Sequence, residues 1–429
     1  MRILITGTSG FIGSHIAIKL FNAGHEIVGC MRNIRKAKKT LPSGIELIAC
    51  DFSRDHKASD WISRLKGIDA VINAVGIISE KGRNTFKALH TDAPKALFEA
   101  CVTARVKKVI QISALGANEY ATSRYHISKK AADDYLVKLN LDWIIVQPSV
   151  VYGSGGKSTA LFMAMAAMPL IPLIGDGSQK LQPIYIDDLT DVIVKLIEES
   201  RYKQMRLEAV GPEPVTFAEM LAAFREWLGL KKTVYMRTPL LLVRLAAGFG
   251  NFIGGSPMNT EALDMLMRGN VGNSTSLMQL AGVRPKNLKQ TLSLTPSRQS
   301  DRWYARLYFI KPVLRLSIGF VWIAAGITSA FLFPIEKSYE LLEQAGIHSG
   351  IKPLMLYGSS ALDFILGAAI LTGYRIKLVG MFQLILISVY STIIALKLPE
   401  FLFHPFGPVV KNIPLMSAIL IMMAMEEEE

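Results

Sequence analysis

The sequence predicts an α/β domain with a doubly wound parallel sheet and a small substrate lobe, followed by an all-α bundle of about four membrane helices. Strand-like runs that are apolar throughout alternate with helix-like segments over the first 150 residues, as in strands covered on both faces. Long apolar runs follow after residue 312. Half of the 429 residues are hydrophobic and 19% are charged, and the mean hydropathy is +0.31, a value rarely found in a water-soluble protein of this length.

Six runs in the first 150 residues have the length and the apolar character of buried strands. Segments with helical character separate them, beginning with FIGSHIAIKLFNAG. Parallel strands joined by right-handed helical crossovers form a doubly wound sheet. The opening MRILITG breaks at once into glycines, so it predicts a strand and not a secretory signal. The predicted strands span residues 2–6, 26–32, 45–49, 69–75, 107–113 and 142–148.

A glycine-rich turn follows the first predicted strand. Gly7, Gly10 and Gly13 form a GxxGxxG pattern before a helix that begins near Phe11. Glycines here permit the turn, the approach of a pyrophosphate and close packing of helix on strand, and the N–H groups of a helix N-terminus favour anions. We therefore expect a Rossmann-type site for a nicotinamide dinucleotide. Its other predicted contacts lie on this turn, near later strand ends and, for Lys129, on a later helix: Ser9, Phe11, Ile12, Asn73, Ala74, Gly76, Lys129 and Pro148.

The end of the second strand indicates which dinucleotide is preferred. Many dinucleotide folds place a carboxylate there for the ribose hydroxyls, whereas this chain has Arg32, followed by Arg35 and Lys36. Arg32 is able to bind a 2′-phosphate, and no carboxylate is present there to repel it, so NADP(H) is favoured over NAD(H). The alternative is that these cations only form a solvated helix start. Asp51, after the third strand, is a candidate either for the adenine amino group or for a helix cap.

Three residues around the fifth strand form a candidate catalytic group. Ser113 ends that strand, and Tyr125 and Lys129 follow at positions i and i+4 of a predicted helix, on one face. A phenol has a reference pKa of about 10, and a nearby ammonium lowers that pKa and makes proton transfer easier. Ser113 is expected to hydrogen-bond a substrate carbonyl or hydroxyl. The pattern predicts hydride transfer with Tyr125 as acid and base, and the alternative is a surface helix pair in a domain without activity.

Together these residues resemble the extended or atypical branch of the short-chain dehydrogenase/reductase superfamily. The matching segments are TGTSGFIG, NAVG, Ser113, YHISK, QPSVVYG and YIDDLTDVI. Within that branch, GPEPVTFAEML, PLLLVRLAAGFGNFIGG and AGVRPKNLKQTL are similar to the Rossmann-type accessory subunit of respiratory complex I and its bacterial relatives. The resemblance covers residues 1–295 and implies a substrate lobe from about residue 149. Several members of that group bind NADPH without known turnover and often lack the tyrosine, which this chain keeps as Tyr125.

Two segments separate this domain from the long apolar region. Residues 239–255 carry a single charge, Arg244, and are interrupted by glycines, which favours a core helix of the lobe or an interfacial helix over a membrane span. Residues 296–312 form a basic and aromatic linker, a composition that suits the headgroup region on the cytoplasmic side of a membrane.

The C-terminal region, residues 313–429, contains the predicted membrane helices. A span needs roughly 20 mostly apolar residues. Three runs qualify, at residues 313–333, 353–373 and 378–397. Residues 413–425 form a shorter fourth segment, and the acidic loop 335–352 is expected on the outer side. The basic linker and the loop with Arg375 and Lys377 predict the cytoplasmic side, which places the N-terminal domain in the cytoplasm, at the inner membrane.

This region resembles the DoxX-like family of small four-helix membrane proteins, with HPFGPVVKNIP at residues 404–414 as the most telling stretch. Relatives in that family are associated with quinone-linked redox reactions, so the resemblance implies either a reaction in the membrane or a simple anchor. Asp363 lies in the middle of a predicted span, where an acid is costly. It is a possible intramembrane site, as a proton relay or quinone contact, or else a neutral, hydrogen-bonded packing residue.

Charge and cysteine content argue against several other classes of protein. The formal net charge is +13, but residues 303–429 carry nine basic and nine acidic residues. The excess of positive charge therefore lies in residues 1–302. No basic stripe interleaved with aromatic residues points to nucleic acid, and none is expected as a partner; anionic lipid and a phosphate-bearing ligand account for the charge. Cys30, Cys50 and Cys101 form no disulfide framework and no metal site with the histidines.

Three functional hypotheses follow from these features. The first is a membrane-tethered NAD(P)H-dependent oxidoreductase that acts on the carbonyl or hydroxyl of a small-molecule, lipid or quinone-type substrate, next to the lipid bilayer. The second is a non-catalytic NADPH-binding assembly or sensor subunit. The third is an NAD-bound epimerase or dehydratase, which turns over without net consumption of cofactor.

Overall fold

The computed structural model describes residues 1–34, 41–252, 258–275, 277–405 and 407–426. The chain divides into two compact units, Met1–Ala305 and Arg306–Glu429, and each has its own hydrophobic core. Parts of several predictions fall outside the described residues. These parts are Arg35 and Lys36, residues 253–257 of the apolar segment, Phe406 of the 404–414 stretch and residues 427–429 of the acidic tail.

The N-terminal unit is built on one large sheet, with small two-stranded sheets beside it. Its strands are β1 (Arg2–Thr6), β2 (Glu26–Met31), β3 (Glu46–Ala49), β4 (Ala70–Asn73), β5 (Lys108–Ile112), β6 (Asp142–Pro148), β7 (Val151–Tyr152), β8 (Leu170–Ile174), β9 (Lys180–Leu181), β10 (Ile184–Tyr185), β11 (Met205–Ala209), β12 (Val215–Thr216) and β13 (Val234–Thr238). The large sheet is parallel and has the order β11-β6-β5-β4-β1-β2-β3. The prediction of a doubly wound parallel sheet is confirmed.

Helices cover both faces of the large sheet and make up the C-terminal unit. They are α1 (Phe11–Asn22), α2 (Ser59–Ile62), α3 (Ala93–Thr103), α4 (Arg124–Leu136), α5 (Lys157–Ala167), α6 (Ile186–Glu198), α7 (Phe217–Trp227), α8 (Leu240–Phe252), α9 (Thr260–Arg268), α10 (Leu288–Leu294), α11 (Gln299–Leu307), α12 (Ile310–Ile327), α13 (Ile335–Gln344), α14 (Lys352–Thr372), α15 (Ile376–Lys397) and α16 (Asn412–Ala424). Short turns of tighter or wider helix lie at Ser63–Leu65, Lys87–Asp92, Leu277–Ala281, Thr328–Leu332, Ser349–Ile351 and Pro399–Phe401.

The two faces of the large sheet bury separate clusters, because successive side chains of a strand point to opposite faces. On β1, Ile3 and Ile5 pack with α1 and α6, whereas Leu4 packs with α3 on the other face. The direction in which strands are added reverses between β1 and β4. In folds of this kind, ligands bind at that reversal, beyond the carboxyl ends of the strands.

The edge strand β11 is absent from the predicted strands. Its sequence, MRLEA, alternates polar and apolar residues, with Leu207 and Ala209 buried and Arg206 exposed. This pattern differs from the continuous apolar runs of the central strands. The chain therefore leaves the sheet after β6, forms much of the lobe, and returns to the sheet through α6 and β11 before the lobe is completed.

The lobe has its own cluster of buried residues, drawn from the small sheets and the helices around them. Phe217 and Phe224 of α7 lie at its centre, and Ile171 of β8 and Ala247 of α8 belong to the same cluster. The apolar segment predicted as a core or interfacial helix is thus a helix, α8, whose inner face packs in the lobe.

Among the described residues of the C-terminal unit, three helices are long and apolar enough to cross a membrane: Ile310–Leu332, Ser349–Thr372 and Ile376–Lys397. A shorter apolar helix, α16, follows them. The chain is therefore a membrane protein, and its spans lie close to the predicted ones. Small residues let α12 and α14 pack closely, since a Cβ added to Gly326 would lie 2.6 Å from the Ser360 carbonyl oxygen. The predicted outer loop is partly helical, because it contains α13.

Candidate active site

The turn between β1 and α1 requires glycine at two positions. Gly7 has a φ of +73°, in the left-handed region that other residues rarely adopt. A Cβ added to Gly13 would lie only 2.2 Å from the Gly7 carbonyl oxygen, so α1 packs directly on the turn. Gly10 gives α1 no side-chain cap, and the first turn of the helix contains no acidic residue. The helix N-terminus therefore has the chemistry of an anion site.

A cleft of about 680 Å³ begins at this turn and follows the carboxyl ends of the central strands. Its volume falls within the range of roughly 300–1,000 Å³ that is common for small-molecule and cofactor sites. The structure thus brings the glycine turn and the candidate catalytic residues into one cleft. The predicted site residues that line it are Gly7, Ser9, Gly10, Phe11, Ile12, Arg32, Asp51, Ala74, Gly76, Ser113, Tyr125, Lys129 and Pro148.

Two predicted cofactor residues, Gly13 and Asn73, do not line the cleft. Gly13 lies behind the turn, against Gly7. Asn73 is completely buried, where its Nδ2 donates to Gln111 Oε1 at 2.7 Å and its Oδ1 accepts from Thr6 Oγ1 at 2.6 Å. These bonds link β1, β4 and β5, so Asn73 acts on the cleft through the position of the backbone.

Tyr125, Lys129 and Asp133 follow one another at four-residue intervals on α4 and so form one stripe. The helix begins after Ser123, whose Oγ caps it by accepting from the His126 N–H. Lys129 and Asp133 are buried, and Tyr125 is partly buried. Asp133 was not among the predicted residues, although an acid one turn beyond Lys129 on the same face is a signal that could have identified it.

Lys129 joins α4 to the ends of two strands. Its Nζ donates to the carbonyl oxygens of Val75 and Ile112, both at 3.0 Å. An ammonium has three donors, so one remains for a ligand or a phenol oxygen. Burial lowers the pKa of Lys129 to about 8, while Asp133 acts in the opposite direction. The side chain therefore keeps its positive charge at neutral pH.

Ser113 donates its hydroxyl hydrogen to Asp133 Oδ2. The other carboxyl oxygen, Oδ1, is buried and has no hydrogen-bond partner in the described part of the chain. Burial raises the pKa of Asp133 to about 6, although Ser113, Lys129 and Arg206 act against this shift. While Asp133 is ionised, Ser113 Oγ is left to accept hydrogen bonds. A protonated Asp133 can donate to Ser113 and release the serine hydrogen for a substrate carbonyl.

The expected lowering of the phenol pKa by Lys129 is not found in this structure. Burial raises the pKa of Tyr125 to about 12, and the charge of Asp133 adds to the increase. The physical reason is that the phenol is desolvated while the ammonium of Lys129 is bonded to carbonyl oxygens. Proton transfer by Tyr125 therefore depends on charge that a bound cofactor or substrate brings.

Three rings contact Tyr125 edge to face and hold its orientation. The centroid distances are 6.0 Å to Phe86, 5.3 Å to His90 and 5.2 Å to His126. The Tyr125 carbonyl oxygen also accepts from Ser128 Oγ at 2.7 Å. The phenol thus has a fixed environment on its protein side.

His90 is a second residue that the sequence did not indicate. It is buried, and its Nε2 accepts from the Ile77 N–H at 2.9 Å, so Nδ1 carries the hydrogen that faces Ser128 Oγ at 2.9 Å. Burial, and then the charge of Lys129, lower the pKa of His90. A neutral imidazole therefore supports the loop after β4. No motif marks this position in the sequence.

Arg32 and Asp51 lie where β2 and β3 meet the cleft. Arg32 is exposed, and its Nη1 donates to Asn84 Oδ1 at 3.0 Å. Asp51 Oδ1 accepts from the Ser53 N–H at 3.0 Å and from Ser53 Oγ at 2.7 Å, so it caps a turn and not a helix. Burial acts to raise the pKa of Asp51, but the Ser53 bonds and the charge of Arg32 outweigh it and lower the pKa.

Asp363 lies on α14 of the C-terminal unit. Its side chain is partly buried, and its Oδ1 has no hydrogen-bond partner among the described residues. The neighbouring hydroxyls of Ser359 and Ser360 donate to the Leu356 carbonyl oxygen instead. Asp363 stays a prediction as an intramembrane site.

Comparison with known proteins assigns both units. Residues 3–207 match the NAD dependent epimerase/dehydratase family, and residues 319–420 match the DoxX-like family. The chain joins an epimerase/dehydratase-like NAD-binding domain to a DoxX-like domain. The resemblances predicted from the sequence are confirmed for both parts.

Two relatives extend this comparison. A ceramide reductase of Caulobacter vibrioides is 25% identical over 230 residues, which are 53% of this chain and 71% of that protein. The mitochondrial NADH dehydrogenase [ubiquinone] 1 alpha subcomplex subunit 9 of Arabidopsis thaliana is 24% identical over 258 residues, 58% of this chain and 63% of that one. This chain thus spans less than two thirds of the length of the second relative.

A solved structure agrees with the fold of the epimerase/dehydratase-like domain. The UDP-glucuronic acid 4-epimerase of Bacillus cereus, in complex with UDP-glucuronic acid and NAD, superposes with a TM-score of 0.52 at 20% identity. The match covers 72% of this chain and all of that one. At this identity the comparison shows the fold alone.

Gly13→Ala tests the packing of the glycine turn. The added Cβ would meet the Gly7 carbonyl oxygen at 2.2 Å, so α1 must move away from β1. We expect the nucleotide content of the purified protein to fall below that of the native protein, and the free energy of unfolding to fall by about 1–3 kcal/mol, as for overpacking elsewhere. Gly358→Ala is the control, because its Cβ would meet nothing within 4 Å. A Gly13→Ala protein with unchanged nucleotide content and thermal midpoint would contradict this packing.

Asp133→Asn tests the buried carboxyl. Because the folded-state pKa of Asp133 is raised to about 6, the native state binds this proton more tightly than the unfolded chain does. Stability from Asp133 is therefore present at pH 4 and is lost as pH rises through 6, by about 3 kcal/mol for a shift of two pKa units. Asparagine stays neutral and removes this loss.

The measurement is the thermal midpoint of the full-length Asp133→Asn and native proteins between pH 4.5 and 7.5. The difference should grow in favour of the variant as pH rises. Asp134→Asn is the matched control, because ion pairs with Lys130 and Arg206 help to lower the Asp134 pKa and predict the opposite trend. A pH-independent difference for Asp133→Asn would mean that its carboxyl is not perturbed.

Proposed function

We propose that the protein is a membrane-tethered, NADPH-dependent reductase of a carbonyl group on a lipid or quinone-type substrate. The observation that carries the proposal is the single cleft that contains the anion-binding turn at Gly7 and Gly10 together with Ser113, Tyr125 and Lys129. The family match gives an NAD-binding domain of an enzyme family, and the direction, substrate and residue roles are the proposal.

The residues of the cleft fit a dinucleotide. The uncapped N-terminus of α1 would hold the pyrophosphate, since its N–H groups and its dipole favour an anion there. The remaining donor of Lys129 would reach a ribose hydroxyl. A bound nicotinamide would supply a hydride to the substrate carbon. In that position the reacting ring lies beside the phenol of Tyr125.

Tyr125 would donate its proton to the carbonyl oxygen as the hydride reaches the carbon, which gives an alcohol and balances the reaction. Its raised pKa keeps the phenol protonated before the step. Ser113 would hold the same oxygen, and it donates there when Asp133 carries a proton. A site that keeps the phenol of Tyr125 protonated before the step favours reduction over oxidation.

Arg32 supports a preference for NADPH. Its exposed guanidinium lies at the end of β2, the position at which many dinucleotide folds have a carboxylate that would repel a 2′-phosphate. A guanidinium instead binds phosphate through two parallel hydrogen bonds. Asp51, an anion beside it, opposes the preference, although its Oδ1 is occupied by Ser53. Arg32 donates to Asn84 Oδ1, and both residues line the cleft, so the guanidinium lies at the cleft wall where a 2′-phosphate would bind.

Three observations support a lipid or quinone-type substrate and a cytoplasmic position at the inner membrane. The chain has three candidate spans, so its catalytic domain works next to a bilayer. One of its relatives is a ceramide reductase, which acts on a lipid by its name. The basic residues of the 296–312 linker support a cytoplasmic N-terminal domain by the positive-inside rule.

A non-catalytic NADPH-binding subunit is the second candidate. It is favoured by the raised pKa of Tyr125 and by the engagement of Ser113 and Lys129 with other protein groups. The relative named as a NADH dehydrogenase subunit supports it as well. The family match keeps a third candidate, an NAD-bound epimerase or dehydratase, which differs by turning over without net change in cofactor.

Tyr125→Phe decides between these candidates. Without the phenol hydroxyl, NADPH oxidation in the presence of lipid carbonyls or quinones should fall at least about 100-fold, the lower range for a lost general acid. Affinity for NADPH should stay within about twofold, because the ring and its contacts remain. Tyr135→Phe, on the same helix, is the control, since the partly buried Tyr135 bonds Glu99 and does not line the cleft.

Each result has a separate meaning. Full activity of Tyr125→Phe would refute the role of the tyrosine. Tight NADPH binding by the native protein with no oxidation by any carbonyl or quinone would favour the non-catalytic subunit. Conversion of a substrate with no net change in cofactor would favour the epimerase or dehydratase.

Arg32→Ala tests the preference for NADPH. Loss of charge-assisted hydrogen bonds of about 1.5–3 kcal/mol should weaken NADPH binding roughly ten- to hundredfold. NADH binding should change little, because it has no 2′-phosphate. Arg83→Ala is the control, as an exposed arginine that does not line the cleft. Equal weakening of both cofactors, measured by titration of the full-length protein, would assign Arg32 to a general role in the fold.

A further inference from the structure

An apolar surface is exposed on the lobe where β13 continues into α8. Val234 is 68% exposed and Met236 is 44% exposed on the strand. Leu241, Leu242 and Leu245 are 70%, 55% and 55% exposed on the helix. Scattered apolar residues are normal on a protein surface, but five in twelve consecutive positions mark a surface for contact with another apolar phase. We call these five residues the lobe patch.

The lobe patch belongs to a folded part of the lobe. On α8, Ala247 is buried in the lobe cluster, and Leu240 and Val243 pack against that cluster. Leu241 and Leu245 are one turn apart and therefore share the opposite side of the helix. The helix thus has one face in the lobe core and another apolar face outside it.

Cations lie close to the lobe patch in the sequence. Residues 231–260 contain four of them, Lys231, Lys232, Arg237 and Arg244, and no aspartate or glutamate. All four are exposed. Asp176 is an acidic group near Arg237, and its pKa is lowered by hydrogen bonds from Ser178 and, more weakly, by the charge of Arg237. The surface therefore keeps a positive balance.

We propose that the lobe patch inserts into the headgroup region of a bilayer that contains anionic lipid. Leucines on one side of a helix, with lysine and arginine beside them, are the features of a helix that lies in a membrane interface. The helix has 13 residues, too few for a span of roughly 20. A bilayer is within reach, because three helices of the same chain are long and apolar enough to cross one.

The proposal goes beyond the proposed function and does not rest on turnover. It assigns the lobe a second attachment to the membrane, separate from the spanning helices. The proposal commits to lipid as the occupant of the lobe patch, and not to a second copy of the chain or the chain's own C-terminal unit. Only lipid would expose the lobe patch to dissolved oxygen and make that exposure depend on the charge of the lipid headgroups.

The test uses spin labels on the full-length protein in nanodiscs. Leu241→Cys and Leu245→Cys each receive a nitroxide, and Tyr120→Cys, at a position 80% exposed in the same unit, is the control. The native cysteines are buried, which allows selective labelling. Power saturation then compares collisions with oxygen, which concentrates in lipid, and with a water-soluble nickel chelate.

We expect labels at 241 and 245 to collide more with oxygen than with the nickel chelate, and the label at 120 to show the reverse. The oxygen preference should decrease when phosphatidylglycerol is replaced by phosphatidylcholine. It should also decrease in Arg237→Gln/Arg244→Gln protein that carries the same labels. These results hold whether or not the protein reduces a substrate.

Two outcomes would overturn the proposal. Labels at 241 and 245 that collide freely with the nickel chelate would show that the lobe patch faces water. Labels shielded from both reagents would show that protein covers it, and a loss of shielding on dilution to one chain per nanodisc would identify a second copy as the cover.

Discussion

The buried ammonium of Lys129 is the contact on which the candidate site depends. Its bonds to the carbonyl oxygens of Val75 and Ile112 tie α4 to the ends of β4 and β5. Hydrogen bonds of a charged group contribute about 1.5–3 kcal/mol each, so a rotation or translation of α4 that breaks them would cost that stabilisation. Tyr125 lies one turn before this anchor and Asp133 one turn after it. The positions of the phenol and of the carboxyl therefore follow from a single buried charge.

The same burial sets the acid–base character of the site. Desolvation raises the pKa of Tyr125 and of Asp133, and it lowers that of Lys129, so each group is moved toward its neutral form. Pairs of titratable groups perturbed in a cleft are typical of sites that move protons. The unpartnered Oδ1 of Asp133 is consistent with a carboxyl that changes its protonation state, since a permanently ionised one would need more donors.

The sequence predicted the features that local rules determine and missed those that depend on packing. Apolar runs gave β1 to β6 within one or two residues, because strands buried on both faces cannot tolerate polar side chains. The edge strand β11 and the helix α13 were not predicted, because a partly exposed element shows no continuous apolar run. Asp133 escaped because its role comes from a neighbour, Ser113, that lies twenty positions earlier on another element. Gly13 packs α1 against the turn, as its place in the glycine pattern predicts, whereas Asn73 contacts Thr6 and Gln111 in the core and does not line the cleft.

The lobe links the candidate site to the membrane by its own structure. Its residues Gly155, Gly156 and Lys157 line the cleft, and α5, which begins at Lys157, packs in the same cluster as α8. The helix that begins at the wall of the cleft and the helix that carries part of the lobe patch therefore share one buried cluster. The charge distribution agrees, because the whole excess of positive charge lies before residue 303, on the part of the chain that contains the lobe patch. With the lobe patch in the headgroup region, the lobe that lines the cleft would lie at the bilayer surface, where a lipid-like substrate is concentrated.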